Sequence, residues 1–318
     1  MLRITLATAL VLFSFITSLN AQGVTIIPTY DATISANATA VATLNAAIAE
    51  YAAKLNNPGV VVRISFQNMG SGLGQSNTFF TSFSYTTFRN ALIAHSTTAD
   101  DASSLLALPA GANSPVPSSS PGSVVMSLPN ARALGLLGNS ASSDSTIGLN
   151  LSLMNFDRTS INPAKYDLKA VAQHEIDEVL GTVSDVGGTG FFASPTTIDH
   201  MRFGANGVFS FTTNPSASAY FSVNSGATNL VNYNQSGSGD YGDFIVNSPP
   251  HVQDFAGTPG TTPDLNVELR MLDVVGWNLV TAVPEPTTIA FIGLAGAGTL
   301  GAWWHRRRRL IKLANQNL

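Results

Sequence analysis

The sequence predicts an α+β fold: one domain with a mixed sheet and one carboxylate-rich helix, between an N-terminal signal peptide and a C-terminal membrane-spanning helix. Three observations predict it. Each end carries an apolar run, the middle interleaves helical and strand periodicities without an internal repeat, and one helix, LKAVAQHEIDEVL, sets carboxylates within and beside an apolar stripe.

Residues 1–21 hold one positive charge, Arg3, then LATALVLFSFI, then small and polar residues up to Ala21. That is the layout of a signal peptide handled by the Sec machinery. Near the other end, Ile289 to Trp304 is an uncharged stretch of about 16 residues, close to the length that spans a bilayer. Two tryptophans edge it and Arg306 to Arg309 follow, so the positive-inside rule keeps the tail cytoplasmic. Val283-Pro-Glu-Pro286, the apolar helix and the arginine cluster together resemble the PEP-CTERM sorting signal. The resemblance implies cleavage by an exosortase-type membrane peptidase. The protein would be transiently anchored in the inner membrane and exported to the cell surface or extracellular matrix of a Gram-negative bacterium. The expected boundaries are 1–21 for the signal peptide, 22–282 for the ectodomain, 283–309 for the sorting signal and 310–318 for a cytoplasmic tail. Within the sorting signal, 283–286 is the motif, 287–304 the membrane helix and 305–309 the basic cluster.

No cysteine is present, so the ectodomain has neither disulfides nor thiolate metal ligands. The whole chain has a net charge of −4, but six of its fifteen basic residues, Arg3, Arg306 to Arg309 and Lys312, belong to the ends. Roughly nine basic residues then face roughly eighteen acidic ones in the ectodomain, which argues against nucleic-acid binding and favours cations.

VTIIPTY reads as a short strand, and TAVATLNAAIAEYAAKL (39–55) as an alanine-rich helix stopped by Asn56-Asn57-Pro58-Gly59. VVVRISF (60–66) is a β-branched strand, and MGSGLGQSN after it reads as a loop. A helix is expected over 86–96 and a Pro/Ser-rich surface loop over 109–124. TIGLNLSLMNF (146–156) alternates, with Ile147, Leu149, Leu151 and Leu153 on one face, as a half-buried strand would. Asp167 caps the next helix and Gly181 ends it. Short β-type segments and a final helix over 264–277 complete the domain.

At 100° per residue, Leu168, Val171, Ala172, Ile176 and Val179 form one stripe of the central helix, with Glu175 in its middle. His174 and Glu178 stand one turn apart at its rim, and Asp177 points away, toward solvent. A carboxylate in an apolar stripe is costly unless it is paired, hydrogen-bonded or set beside a metal. Two ligands one turn apart and an adjacent glutamate that activates water are what a zincin requires. Here Glu178 stands where H-E-x-x-H has its second histidine, which makes the site harder and more negative than a three-histidine one. The competing reading is a helix whose His and Glu are satisfied by ordinary hydrogen bonds.

The order of helix, strands and active helix resembles the metzincin N-terminal subdomain, in which the strand before the active helix is an edge strand that pairs with extended substrate. LGQSN, FRNALIAHSTTADD, ARALGL, YDLKAVAQHEIDEVLG, AYFSVNSGATNL, GDYGDF and LRMLDVVGW resemble a family of secreted bacterial proteins thought to be zincin-like metalloproteases, with an H-E-I-x-E-V-x-G helix. The resemblance implies a Zn²⁺ site ligated by His174 and Glu178, Glu175 as general base and a polypeptide substrate. Asp185, one residue past the metzincin third-ligand position, and Asp199, in TIDHMRF, are both candidates for the third ligand. Asp199 matches an acidic family position, whereas His200 stands where the family has an apolar residue. Asp240 and Asp243 suit a Ca²⁺ loop or an Asx-turn. His251 and Asp254 suit a surface turn or an approach to the site, His95 a helix C-terminal partner, and Met201 and Met271 core packing or a methionine under a metal site. The alternative to a peptidase is a non-catalytic surface or matrix protein on the same scaffold.

Overall fold

Val62, Ile64 and Phe66 alternate with half-exposed neighbours along one segment, so a strand with one face in the core is the only extended arrangement that buries them together. The computed structural model describes residues 23–280, and the expected signal peptide, sorting motif, membrane helix and basic tail lie outside them. No helix among the described residues is long and apolar enough to cross a membrane. The chain is a mixed α+β structure with several sheets.

The first half runs β1 (Thr25–Tyr30), α1 (Ala32–Ser35), α2 (Ala38–Lys54), β2 (Val61–Asn68), β3 (Gly74–Thr78), β4 (Phe80–Ser84), α3 (Tyr85–His95), α4 (Ala99–Ser104), β5 (Ser123–Ser127) and α5 (Leu128–Ala133). The second runs β6 (Ser145–Leu149), β7 (Met154–Asn155), β8 (Tyr166–Asp167), α6 (Leu168–Asp177), β9 (Arg202–Ala205), β10 (Val208–Phe209), β11 (Tyr220–Phe221), β12 (Val231–Asn232) and α7 (Val267–Val274). The main sheet has the order β1-β2-β6-β3. The first three strands are parallel and β3 is antiparallel, so the sheet is mixed. A smaller antiparallel sheet, β10-β9-β11-β12, follows.

Two strand expectations need correction. The segment 146–156 is not one strand: β6 stops at Leu149, a 3-10 turn covers Leu151–Leu153, and Leu153 is exposed whereas Ile147 and Leu149 are buried. Nor is this strand the sheet edge, because β3 pairs along it from Gly74–Leu149 to Thr78–Ser145. β3 lies within the Gly/Ser/Asn-rich stretch that reads as a loop. Its residues have little strand propensity, and the open side of β6 supplies the hydrogen bonds that order them.

Helix α6 packs against β6 and β3 and alongside α2. Its expected stripe is buried, and Glu175 with it. Asp177, expected in water, is also buried, because α2 covers the helix face that a wheel leaves to solvent. Tyr51 Oη of α2 lies 2.8 Å from Asp177 Oδ1 and 2.9 Å from the Gln173 carbonyl oxygen. One hydroxyl proton cannot serve both acceptors. Burial, then the nearby Glu268, push the Asp177 carboxyl well above its ordinary range. Asp177 Oδ2 is buried without a hydrogen-bond partner.

His200 is fully buried between Tyr85 and Phe88, with ring centroids 5.9 and 4.9 Å away. Its Nδ1 donates to the Thr196 carbonyl (2.8 Å) and its Nε2 accepts from Ser114 Oγ (2.9 Å), as a neutral ring does. This aromatic slot explains a histidine at an otherwise apolar position. Burial lowers its pKa to about 4. The unfolded chain therefore takes up this proton near pH 6.5 and the folded chain only near pH 4. The stabilisation is complete above pH 6.5 and is lost as pH falls toward 4, by roughly 3 kcal/mol. Chemical denaturation of wild type and His200→Gln at several pH values should show this acid-dependent loss in the wild type and its disappearance from the variant.

Candidate metal centre

Asp167 starts α6 by accepting from the Ala170 N–H (3.3 Å), and Arg158 holds the same carboxylate at 2.6 Å. The cap fixes the helix phase, and Glu175 and Glu178 lie against Gly74 and Ser76 of β3. Beyond Asp177 the helix widens into one turn, Glu178–Thr182, and ends at Gly181, whose φ of 127° excludes a side chain. Trp277 Nε1 donates to the Leu180 carbonyl (2.8 Å) and ties that end to the segment after α7.

His174 Nδ1 lies 3.0 Å from the Val252 carbonyl and donates to it, which turns Nε2 toward two carboxylates. Nε2 is 3.4 Å from Asp243 Oδ1 and 3.8 Å from Glu178 Oε1. One ligand atom from each of His174, Glu178 and Asp243 lies within 4.8 Å of the others, the only such group among the described residues. A ring nitrogen lone pair and two carboxylate oxygens repel one another unless a proton or a cation stands between them. In the protein alone, burial opposes charging of the ring, but Asp243, Glu175 and Glu178 outweigh it and hold the His174 pKa at about 10. A divalent cation meets the same electrostatic demand, and one imidazole with two carboxylates is an acceptable transition-metal donor set. The residues therefore fit a metal.

The other carboxylate oxygen of Glu178, Oε2, accepts from Ser76 Oγ of β3 at 2.5 Å, leaving Oε1 for the cluster. Burial and the neighbouring Glu175 push Glu178 well above its usual range. Glu175 itself is brought to about 7, chiefly by burial, with His174 pulling the other way. Burial also raises Asp243, to about 6, against the pull of His174. The cluster floors a cleft of ≈ 290 Å³ walled by Leu73–Ser76 on one side and by residues 239–243 and 250–263 on the other.

The structure brings His174, Glu175 and Glu178 together and adds Asp243, which sequence reasoning set aside as a calcium-loop or turn residue. Asp185 and Asp199 are not part of this cluster. Asp199 accepts from Ser184 Oγ, the Asp185 N–H, and both the N–H and Oγ1 of Thr196, and so staples two loops. Asp185 packs beside it, and burial followed by that like charge raises its carboxyl to about 8. Asp254 and His251 border the cleft, but Asp254 spends its oxygens on Asn247 and on the His251 N–H. Asp240 is exposed at the cleft mouth. Met201 and Met271 are core residues, and His95 Nδ1 faces the Ala91 carbonyl in the last turn of α3. Ser76, Gly74 and Gln253 carry no signal in the sequence that would connect them with this helix.

A family model described as the PEP-CTERM protein-sorting motif matches residues 282–309. The chain carries a PEP-CTERM sorting motif. Such a motif marks an exported protein of a Gram-negative bacterium, transiently held at the membrane and processed by exosortase, itself a membrane protein. No curated protein and no solved structure matches this PEP-CTERM-tailed chain.

Gly74 shows how tightly strand and site are joined. A Cβ there would meet Glu175 Oε1 at 2.3 Å and Val171 Cγ1 at 2.9 Å. Gly74→Ala should therefore cost roughly 1–3 kcal/mol in thermal or chemical unfolding. Part of that loss should be recovered in the Gly74→Ala/Glu175→Ala double variant. Equal losses in both backgrounds would show that Glu175 does not lie against β3.

Proposed function

We propose that the ectodomain is a metal-dependent hydrolase on a zincin-like scaffold, cleaving peptide bonds in extended polypeptide outside the inner membrane. The observation that carries this reading is the convergence of His174, Glu178 and Asp243 at the floor of an open cleft, with Glu175 beside them. A divalent cation held there would supply Lewis-acid activation of water and of the scissile carbonyl.

The chain's own groups support the rest. Glu175 does not belong to the three-donor set, and its buried carboxylate beside that set is placed to take a proton at a carboxylate oxygen and return it to a leaving amine. His174 is kept in one orientation by the Val252 carbonyl, and Glu178 by Ser76, so neither has to be ordered when substrate arrives. β3 is an antiparallel edge strand that lines the cleft, and its free side offers backbone groups to a chain laid along it. The edge-strand role that the sequence assigns to 146–156 passes to Gly74–Thr78.

The second reading, a non-catalytic surface or matrix protein on the same scaffold, draws on the donor set itself. Two carboxylates and one imidazole leave a bound cation less able to acidify water than three imidazoles do.

The test uses the purified full-length chain in detergent, with bound metal measured by mass spectrometry and an unfolded protein offered as substrate. The expected result is chelator-sensitive cleavage that His174→Ala loses together with the metal. Glu175→Gln should lose cleavage by about 100-fold or more while keeping the metal. A wild type that holds metal but shows no turnover under any condition would favour the second reading, and one that holds no metal would end the first.

A further inference from the structure

Gln253 is fully buried, yet its side-chain amide reaches the metal cluster. Nε2 donates to Asp243 Oδ1 at 2.8 Å and stands 3.4 Å from His174 Nε2, so it touches two of the three candidate ligand groups. The other end of the same amide, Oε1, is buried without a hydrogen-bond partner. An orphaned carbonyl oxygen inside a protein costs roughly 1–3 kcal/mol, a cost that usually marks a missing partner.

The backbone around it is fixed. The Gln253 N–H donates to Glu268 Oε1 (3.2 Å), its carbonyl accepts from the Phe244 N–H (2.8 Å), and Glu268 is itself fully buried. One residue earlier, the Val252 carbonyl orients His174. Residues 252 and 253 therefore frame the imidazole and the Asp243 carboxylate together, and the Gln253 side chain is directed at the space between them.

We propose that Gln253 is a fourth protein ligand of the cation, through its side-chain carbonyl oxygen after a half-turn of the amide. This rests on the metal-centre reading above. Without a cation, the positive NH₂ end of the amide dipole is the end that suits a carboxylate, as observed. An amide nitrogen has no lone pair to offer a metal, whereas the carbonyl oxygen has two. A half-turn about the last side-chain bond exchanges the two ends without moving the backbone: the carbonyl oxygen then faces the cation that Asp243 shares, and the NH₂ takes the buried place the oxygen leaves. The donor set becomes one nitrogen and three oxygens, which favours harder divalent ions over a histidine-rich site. Zinc in catalytic sites extends to five ligands, so a fourth protein donor still leaves room for water.

The test titrates Co²⁺ into the metal-stripped full-length chain in detergent and follows both the dissociation constant and the visible ligand-field spectrum. Wild type, Gln253→Leu, Gln253→Glu and His174→Ala are compared, with folding checked by circular dichroism. The expected result is stoichiometric binding by the wild type and none by His174→Ala. Gln253→Leu should bind about ten- to a hundredfold more weakly, with a shifted spectrum. Gln253→Glu should bind more tightly, with its bands also moved, because a carboxylate replaces the amide oxygen. If Gln253→Leu does not fold, Gln253→Glu decides alone. Weaker binding of Gln253→Leu with an unchanged spectrum would mean that the residue only supports Asp243, which overturns the proposal. Unchanged spectra in every folded Gln253 variant would do the same while leaving the metal centre intact. A wild type that binds no Co²⁺ overturns the metal centre and this inference together.

Discussion

Three carboxyl groups from four consecutive residues of one chain segment, Glu175, Asp177 and Glu178, are out of water, and the surrounding structure is arranged to make that tolerable. An unpartnered carboxylate in a protein interior is a cost of several kcal/mol, comparable with the whole net stability of a domain. The three are resolved in different ways on different sides of the helix. Toward α2, Asp177 meets the hydroxyl of Tyr51, and burial raises its carboxyl well above the usual range. Toward β3, Glu178 takes a proton donor from Ser76, and Glu175 lies against a glycine. Toward the 239–254 segment, His174 supplies positive charge, as imidazolium or through a cation that would take the proton's place.

Each of those partners comes from a different part of the chain, and the sheet is what gathers them. β6 carries α6 into position through the turns that follow it, while its open side orders β3 and so delivers Gly74 and Ser76 to the helix. The loop that brings Asp243 is held by isolated bridges, Tyr233 to Phe244 and Phe244 to Asp254, rather than by a regular strand. Gln253 and Val252 follow from that second bridge, so one short irregular stretch determines how His174 and Asp243 face each other.

The parts legible in the sequence are those governed by local periodicity. The apolar stripe of α6, its Asp167 cap, its Gly181 stop and the burial of Glu175 follow from helical phase alone. Asp177 does not, because a wheel shows which residues share a face and not how many neighbours the helix has. A helix lodged between a sheet and a second helix has almost no water side. β3 was hidden because Gly74, Gln75, Ser76 and Asn77 are loop-forming by composition, and a long-range edge overrides that preference. Asp243 was visible as an acidic residue in a glycine-rich turn, but nothing in a turn's sequence says where its carboxylate points. Metzincin ligand spacing led to Asp185 and a family resemblance to Asp199, and both lie outside the His174, Glu178 and Asp243 group. The sorting motif, by contrast, depends on short linear features in order, and such features survive without any knowledge of the fold.

The central claim is that His174 and Glu178 share a cation with Asp243, sixty-odd residues further on, rather than with the nearer aspartates. Metal stoichiometry of the full-length chain after exhaustive dialysis tests it most directly, with Asp243→Ala set against Asp199→Asn. The account requires one tightly held divalent cation per chain in the wild type and in Asp199→Asn, and its loss from Asp243→Ala. Retention by a folded Asp243→Ala, or loss from a folded Asp199→Asn alone, would contradict it.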